Sequence, residues 1–85
     1  MKTRIIVVGD QTDHGGVVIA GTPEHTMDGR PIARLGDEVT CPLHGINRIV
    51  EGHPTATIEG IPLAVEHAMT ACGSHLIGSI DAEID

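Results

Sequence analysis

The chain contains no phenylalanine, tyrosine or tryptophan. The rings that usually dominate a small core are missing, so Val, Ile, Leu and Ala must fill the interior. Cations are scarce too: five Lys and Arg stand against twelve Asp and Glu, giving a formal net charge of −7. That balance argues against nucleic acid as a partner, because phosphate neutralisation needs clustered positive charge. Long apolar runs are also absent. Nothing approaches the roughly 20 apolar residues of a membrane-spanning helix, which predicts no stable membrane association. The opening Ile5-Ile6-Val7-Val8 is cut by Gly9-Asp10, short of the about 7–15 apolar residues of a secretory signal. A protein of this kind is expected to be made in the cytoplasm and, if exported, to leave by a route that accepts a folded chain.

Eighty-five residues make one domain, spanning 1–85, and a domain this small buries a modest share of its unfolded surface. Such a chain needs a staple. Two cysteines allow one Cys41–Cys72 disulfide, but six histidines stand beside them, and that ratio favours a metal.

What is present is a repeat. Gly21, Pro23, Thr26, Gly29, Pro31, Ala33, Cys41 and His44 recur 31 residues later as Gly52, Pro54, Thr57, Gly60, Pro62, Ala64, Cys72 and His75. The copies run over about 14–44 and 45–75, with 81–85 expected to fray as an acidic tail. A repeat too short to bury its own core, carrying Cys-x-x-His at its end, points to copies wrapped around a shared metal.

The apolar segments are short and rich in β-branched residues: 4–8, 16–20, 25–27, 32–35, 47–50, 56–58, 63–65 and 76–80. Broken at close intervals by Gly, Pro and Asp, they read as strands, and no helix is required. The segment 66–71 fits either a helical turn or a loop. Asp28-Gly29 and Glu59-Gly60 read as tight hairpin turns. Pro31 and Pro62, just after those turns, place the following strands on edges or in narrow twisted sheets. Asp37 and Glu38 read as a solvated turn, and Arg30, Arg34 and Arg48 as surface charge.

Three loops concentrate the chemistry: Asp13-His14-Gly15-Gly16, Cys41-Pro42-Leu43-His44-Gly45 and Cys72-Gly73-Ser74-His75. His14 precedes His44 by 30 residues and His44 precedes His75 by 31, so a pseudo-threefold wrap brings all three loops to one end. Zinc takes four thiolate or imidazole ligands in a tetrahedron, and five candidates compete for those places. His14, Cys41, His44 and Cys72 form the predicted set. His75 is the alternative to Cys41 and ranks below it, since its position before Leu76-Ile77 puts it on a strand. His25, His53 and His67 lie outside the loops and read as surface or hydrogen-bonding residues. No general base accompanies the cluster, and no motif sets a nucleophile beside a base, so a closed structural site and no enzymatic activity are expected.

The motifs Asp13-His14-Gly15-Gly16, Arg30-Pro31-Ile32-Ala33-Arg34-Leu35-Gly36-Asp37, Cys41-Pro42-Leu43-His44-Gly45 and Cys72-Gly73 with Leu76-Ile77 make the chain resemble a PAAR-repeat protein. Pro31-Ile32-Ala33-Arg34 is similar to the Pro-Ala-Ala-Arg that names the family. The second copy, Pro62-Leu63-Ala64-Val65, has lost the arginine. The resemblance implies an all-β cone of short strands and hairpins that caps the trimeric VgrG spike of a bacterial type VI secretion system, one chain per trimer. It implies one structural Zn2+ near the apex, held in the family by three His and one Cys, which leaves Cys41 or His75 as the open member here. It also implies secretion through the type VI apparatus and, in many relatives, carriage of effector proteins. The competing reading, a small zinc hydrolase or metal-handling protein, rests on the His-rich loops alone.

Overall fold

A computed structural model describes residues 2–83. Within them the chain forms ten short strands and no helix: β1 (Lys2–Ile5), β2 (Gln11–Thr12), β3 (Thr22–Met27), β4 (Arg30–Ile32), β5 (Glu38–Val39), β6 (Asn47–Arg48), β7 (Thr57–Ile58), β8 (Ile61–Pro62), β9 (Leu76–Ile77) and β10 (Ile80–Glu83). All five strand pairs are antiparallel and two-stranded: β1·β10, β2·β9, β3·β4, β5·β6 and β7·β8. The molecule measures 33 × 22 × 22 Å.

Pairs this small cannot hold a fold alone. They are tied around a pseudo-threefold axis by a closed ring of three backbone hydrogen bonds. Ala33 N–H donates to Ile6 O at 2.8 Å, Ile6 N–H to Ala64 O at 3.0 Å, and Ala64 N–H to Ala33 O at 3.0 Å. The same threefold relation recurs on either side. Val8, Leu35 and Glu66 donate to Pro31, Pro62 and Arg4, at 2.9, 2.9 and 2.8 Å. Thr40, Ala71 and Asp13 donate to Val17, Arg48 and His75, at 2.8, 2.8 and 3.0 Å. Three units therefore make up the body, each an incoming arm, a loop and an outgoing arm. Residues Ile6, Ala33 and Ala64 are equivalent, as are Val18, Ile49 and Leu76.

Side chains stack in layers along this axis. Ile6, Ala33, Ala64, Val18, Ile49 and Leu76, with Val39 and Ala68, form one buried cluster. Ile5, Val7 and Ile32 form a second, against which Met27, Ile58, Leu63, Ile80 and Ala82 are half-buried. The first cluster underlies the three loops. The second lies among the hairpins β3·β4 and β7·β8 and the terminal pair β1·β10, at the other end of the arms.

The hairpin turns form as their sequence predicts. Asp28 and Gly29 have φ of 53° and 78°, and Glu59 and Gly60 have 54° and 82°. Positive φ at both central residues is the I′ geometry that matches strand twist. A second turn closes each incoming arm: Asp10, Asp37 and Ala68 donate to Val7, Arg34 and Val65 at 3.1, 3.0 and 3.1 Å. Its left-handed position is Gly9, Gly36 or His67, with φ of 97°, 92° and 74°. In the first two units the aspartate also accepts the backbone N–H of Val7 (2.9 Å) or Arg34 (2.7 Å). The third unit has lost both the glycine and the aspartate but keeps the turn, so 66–71 is turn and bridge, not helix.

Two expectations change. Strand β10 extends through Glu83 because its backbone pairs with β1 from Lys2↔Glu83 to Ile5↔Ile80; the last two residues of the expected frayed tail lie outside the described residues. Arg34 is no free surface charge. Its guanidinium is half-buried and donates to Ile58 O at 3.3 Å and Glu59 Oε1 at 3.4 Å, which fastens the β7–β8 turn to the second arm. Arg30 similarly reaches Ser79 Oγ at 3.1 Å, while Arg48 stays exposed and donates to Gly36 O at 3.0 Å.

Close packing around the axis sets a demand on one loop glycine. A Cβ on Gly16 would lie 1.8 Å from Thr40 O, between the first and second units. Gly29 has φ of 78° and open space around it. Gly16→Ala is therefore expected to cost about 3 kcal/mol, the upper part of the overpacking range, and Gly29→Ala about 1 kcal/mol from backbone strain alone. Chemical denaturation of the two variants under one set of conditions checks the order; equal losses would contradict the packing argument.

Candidate metal centre

The first and third loops are the same structure. Thr12 N–H donates to Gly16 O at 3.0 Å, and Thr70 N–H to Ser74 O at 2.8 Å. Gly15 N–H and Gly73 N–H return to Thr12 O and Thr70 O at 3.1 and 3.0 Å. Both glycines take left-handed backbone, with φ of 83° and 91°, so His14 and Cys72 occupy one equivalent position. Local hydroxyls support each. Thr12 Oγ1 accepts from His14 N–H at 3.3 Å and Gly16 N–H at 3.0 Å. Thr70 Oγ1 lies 2.6 Å from Ser74 Oγ.

The second loop is longer. From ligand position to outgoing arm the chain takes three steps in units one and three, His14 to Val17 and Cys72 to His75, but seven in unit two, Cys41 to Arg48. Cys41 keeps the equivalent place, and the added residues carry His44. A turn closes them: Cys41 N–H donates to Gly45 O at 2.9 Å and Gly45 N–H returns to Cys41 O at 2.8 Å. Each short loop thus delivers one donor and the long loop delivers two.

The four donors converge. Cys41 Sγ lies 3.2 Å from His44 Nδ1 and 3.9 Å from His14 Nδ1. One donor atom from each of His14, Cys41, His44 and Cys72 falls within 4.8 Å of all the others. Metal–ligand bonds of about 2.0–2.3 Å give a tetrahedron with edges of about 3.3–3.8 Å, so the donor set fits a single ion after small side-chain adjustments. Cys41 is buried and Cys72 half-buried, and both are free thiols.

His75 stands apart. It lies on the outgoing arm, equivalent to Val17 and Arg48, where its Nδ1 is 3.4 Å from Asp13 Oδ2. Its backbone N–H donates to Asp13 Oδ1 at 2.8 Å, and this bond holds the Asp13 carboxyl below the usual carboxylate range. The aligned Cys-x-x-His motifs are therefore not equivalent in space, because only the longer loop folds its histidine back onto its cysteine. The supporting residues Thr12, Thr70 and Ser74, and Asn47 whose Oδ1 accepts Cys72 N–H at 3.2 Å, were not singled out by the sequence reading. A threonine two residues before His14 and before Cys72 is the signal that marks them. Of the remaining histidines, His25 is exposed, His53 Nδ1 accepts from Ala56 N–H at 2.8 Å, and His67 lies 3.7 Å from Glu66 Oε1.

A family model for the PAAR motif matches residues 8–78. The chain belongs to the PAAR-motif family. Comparison with curated proteins gives no match. The family is a structural spike-tip family, and the all-β, pseudo-threefold fold with its clustered His and Cys residues is the PAAR-type cone. In this PAAR protein the four gathered side chains can hold a metal ion, two through sulfur and two through imidazole nitrogen. Four protein donors would fill a tetrahedral coordination shell.

The Cys72 sulfur is poised as an anion. Hydrogen bonding with the Ser74 and Thr70 hydroxyls, whose oxygens lie 3.5 and 3.3 Å from Sγ, lowers its pKa to about 5. A thiol whose folded-state pKa lies below its unfolded value contributes stability that is complete above the unfolded pKa and lost as pH falls through the folded one. Metal-free protein should therefore gain stability as pH rises from about 5 towards about 8.5, the ordinary cysteine value. Ultraviolet thiolate absorbance should show one of the two thiols titrating near the lower limit. Ser74→Ala should move that titration upward, and an unchanged curve would sink the assignment.

Ligand substitutions separate the cluster from its neighbour. His44→Ala and Cys72→Ala should each remove bound metal after dialysis and lower the melting temperature. His75→Ala and His25→Ala should retain the metal. Metal content per chain, measured beside thermal melting, checks this.

Proposed function

We propose that this PAAR protein caps the blunt end of a trimeric VgrG-type spike in a type VI secretion system, one chain per trimer. The observation that carries the reading is the closed ring through Ile6, Ala33 and Ala64: a single chain with threefold backbone symmetry can meet the same surface of three identical spike chains at once. Membership of the PAAR family supplies the partner class. The hairpin end is the docking base in this reading, because the side chains of Met27, Ile58, Leu63, Ile80 and Ala82 are left half-buried there, as the apolar core of an interface requires.

The loop end is then the leading point, and the ion at His14, Cys41, His44 and Cys72 is a structural Zn2+. Two thiolates balance its charge, and a filled tetrahedron resists exchange. The chain performs no catalysis in this role. It is made in the cytoplasm and leaves folded through the secretion apparatus; among the described residues no helix is long and apolar enough to cross a membrane. Effector proteins travelling with the tip are the further partners that family membership supports.

The test mixes the zinc-loaded chain with its cognate spike and follows sedimentation and native mass. One chain per three spike chains is expected. Ile58→Asp should weaken that complex at least tenfold while leaving one zinc per chain. Absence of a complex with the unsubstituted chain would overturn the reading.

A further inference from the structure

The cluster holds two sulfurs from different loops, close to each other. Cys41 Sγ and Cys72 Sγ lie within 4.8 Å of each other, and neither is engaged in a disulfide. Their accessibility differs: Cys41 is 3% exposed whereas Cys72 is half-buried. Cys72 sits in the turn that Gly73 closes in left-handed backbone. Its carrier loop is short, and its sulfur hydrogen-bonds with the hydroxyls of Thr70 and Ser74.

We propose that Cys41 and Cys72 form a thiol–disulfide latch, in which a peroxide oxidises the pair and expels the metal. The first step is attack by the accessible Cys72 thiolate on the peroxide. A sulfur–oxygen bond forms, the oxygen–oxygen bond breaks, and hydrogen peroxide gives Cys72 sulfenic acid and hydroxide. The second is attack by the Cys41 thiolate on the Cys72 sulfur, which forms the disulfide and releases a second hydroxide. Two electrons leave the two sulfurs and reduce one peroxide. Both sulfur ligands lose their charge in the process, and the two imidazoles of His14 and His44 cannot retain the ion alone. A small thiol reverses the reaction by exchange, after which the four donors are again available. The disulfide ties the second loop to the third, so the loop end stays joined where a metal would join it, while the first loop loses its ligand tie and keeps its backbone bonds through Val17 and Asp13.

Within this scheme the internal symmetry supplies its own control. Cys72 occupies the place that His14 occupies in the first unit, so Cys72→His puts an imidazole where the same turn already carries one. That variant keeps four donors and removes the second sulfur.

The inference rests in part on the metal reading, and the experiment separates the two. Zinc-loaded chain and metal-free chain are each treated with one equivalent of hydrogen peroxide. Zinc release is read with a chromogenic chelator, and the sulfur state by intact mass and peptide mapping. Expected are loss of two hydrogens per chain, a Cys41–Cys72 cross-link in both forms, release of zinc from the loaded form, and recovery of both after thiol and zinc are added. Cys72→His should bind zinc and release at least tenfold less at the same peroxide. Failure of the untreated chain to bind zinc, with the cross-link still forming in the metal-free chain, would overturn the metal reading and leave the latch standing. Sulfinic acid without a cross-link, a cross-link between chains, or equal zinc release from Cys72→His would overturn the latch.

Discussion

Everything in this protein depends on three backbone amides that hydrogen-bond one another around an axis. The ring through Ile6, Ala33 and Ala64 brings three backbones together where each residue is fully buried. Two of the three positions are alanine, and side-chain bulk is held back to the layers on either side, Ile5–Ile32–Leu63 and Val18–Ile49–Leu76. A chain without aromatic rings suits such a core. The buried layers are filled by Ile, Val, Leu and Ala, and the small core is compensated by a backbone whose polar groups are paired across units.

The ring also fixes where chemistry can occur. Arms leaving it in one direction end in hairpins, and arms leaving it in the other end in loops. Neighbouring loops are tied at their bases by the bonds from Thr40, Ala71 and Asp13, so three ligand positions face one another without any loop having to travel. A strict threefold site offers three equivalent donors, one short of a tetrahedron. The four-residue excess of the second loop, visible in the longer step from Cys41 to Arg48, breaks the symmetry once and supplies the fourth donor as His44.

That same excess explains what the sequence made legible and what it hid. The hairpin turns were plain, because Asp28-Gly29 and Glu59-Gly60 are demanded by local backbone geometry and need no tertiary context. Loop spacing suggested the candidate donors but left His75 in competition with Cys41, and the fold gathers His14, Cys41, His44 and Cys72 within 4.8 Å of one another. Alignment at 31 residues pairs His44 with His75, yet the shorter third loop carries His75 past the site onto the outgoing arm, where Asp13 takes it. The third unit was the hardest to see. Its turn has His67 and Ala68 where the others have Gly and Asp, and its hairpin is β1·β10, built from the two ends of the described chain. No contiguous stretch of sequence spells that unit out. Arg34 misled for a related reason: charge reads as surface until a carbonyl from a distant turn, here Ile58 O, is placed beside it.

Each loop closes its own backbone, through Thr12 and Gly16, Cys41 and Gly45, Thr70 and Ser74, above the buried layer of Val18, Ile49 and Leu76. A metal bound by His14, Cys41, His44 and Cys72 would join the three loops at their tips, and its binding free energy would add to folding. Below their tips the loops are tied by the bonds of Thr40, Ala71 and Asp13, while Leu43 and Ile46 in the second loop are exposed. The ring and the ladders beside it hold the body, and the gathered donors of His14, Cys41, His44 and Cys72 are where a bound metal would tie the three loops together at the point.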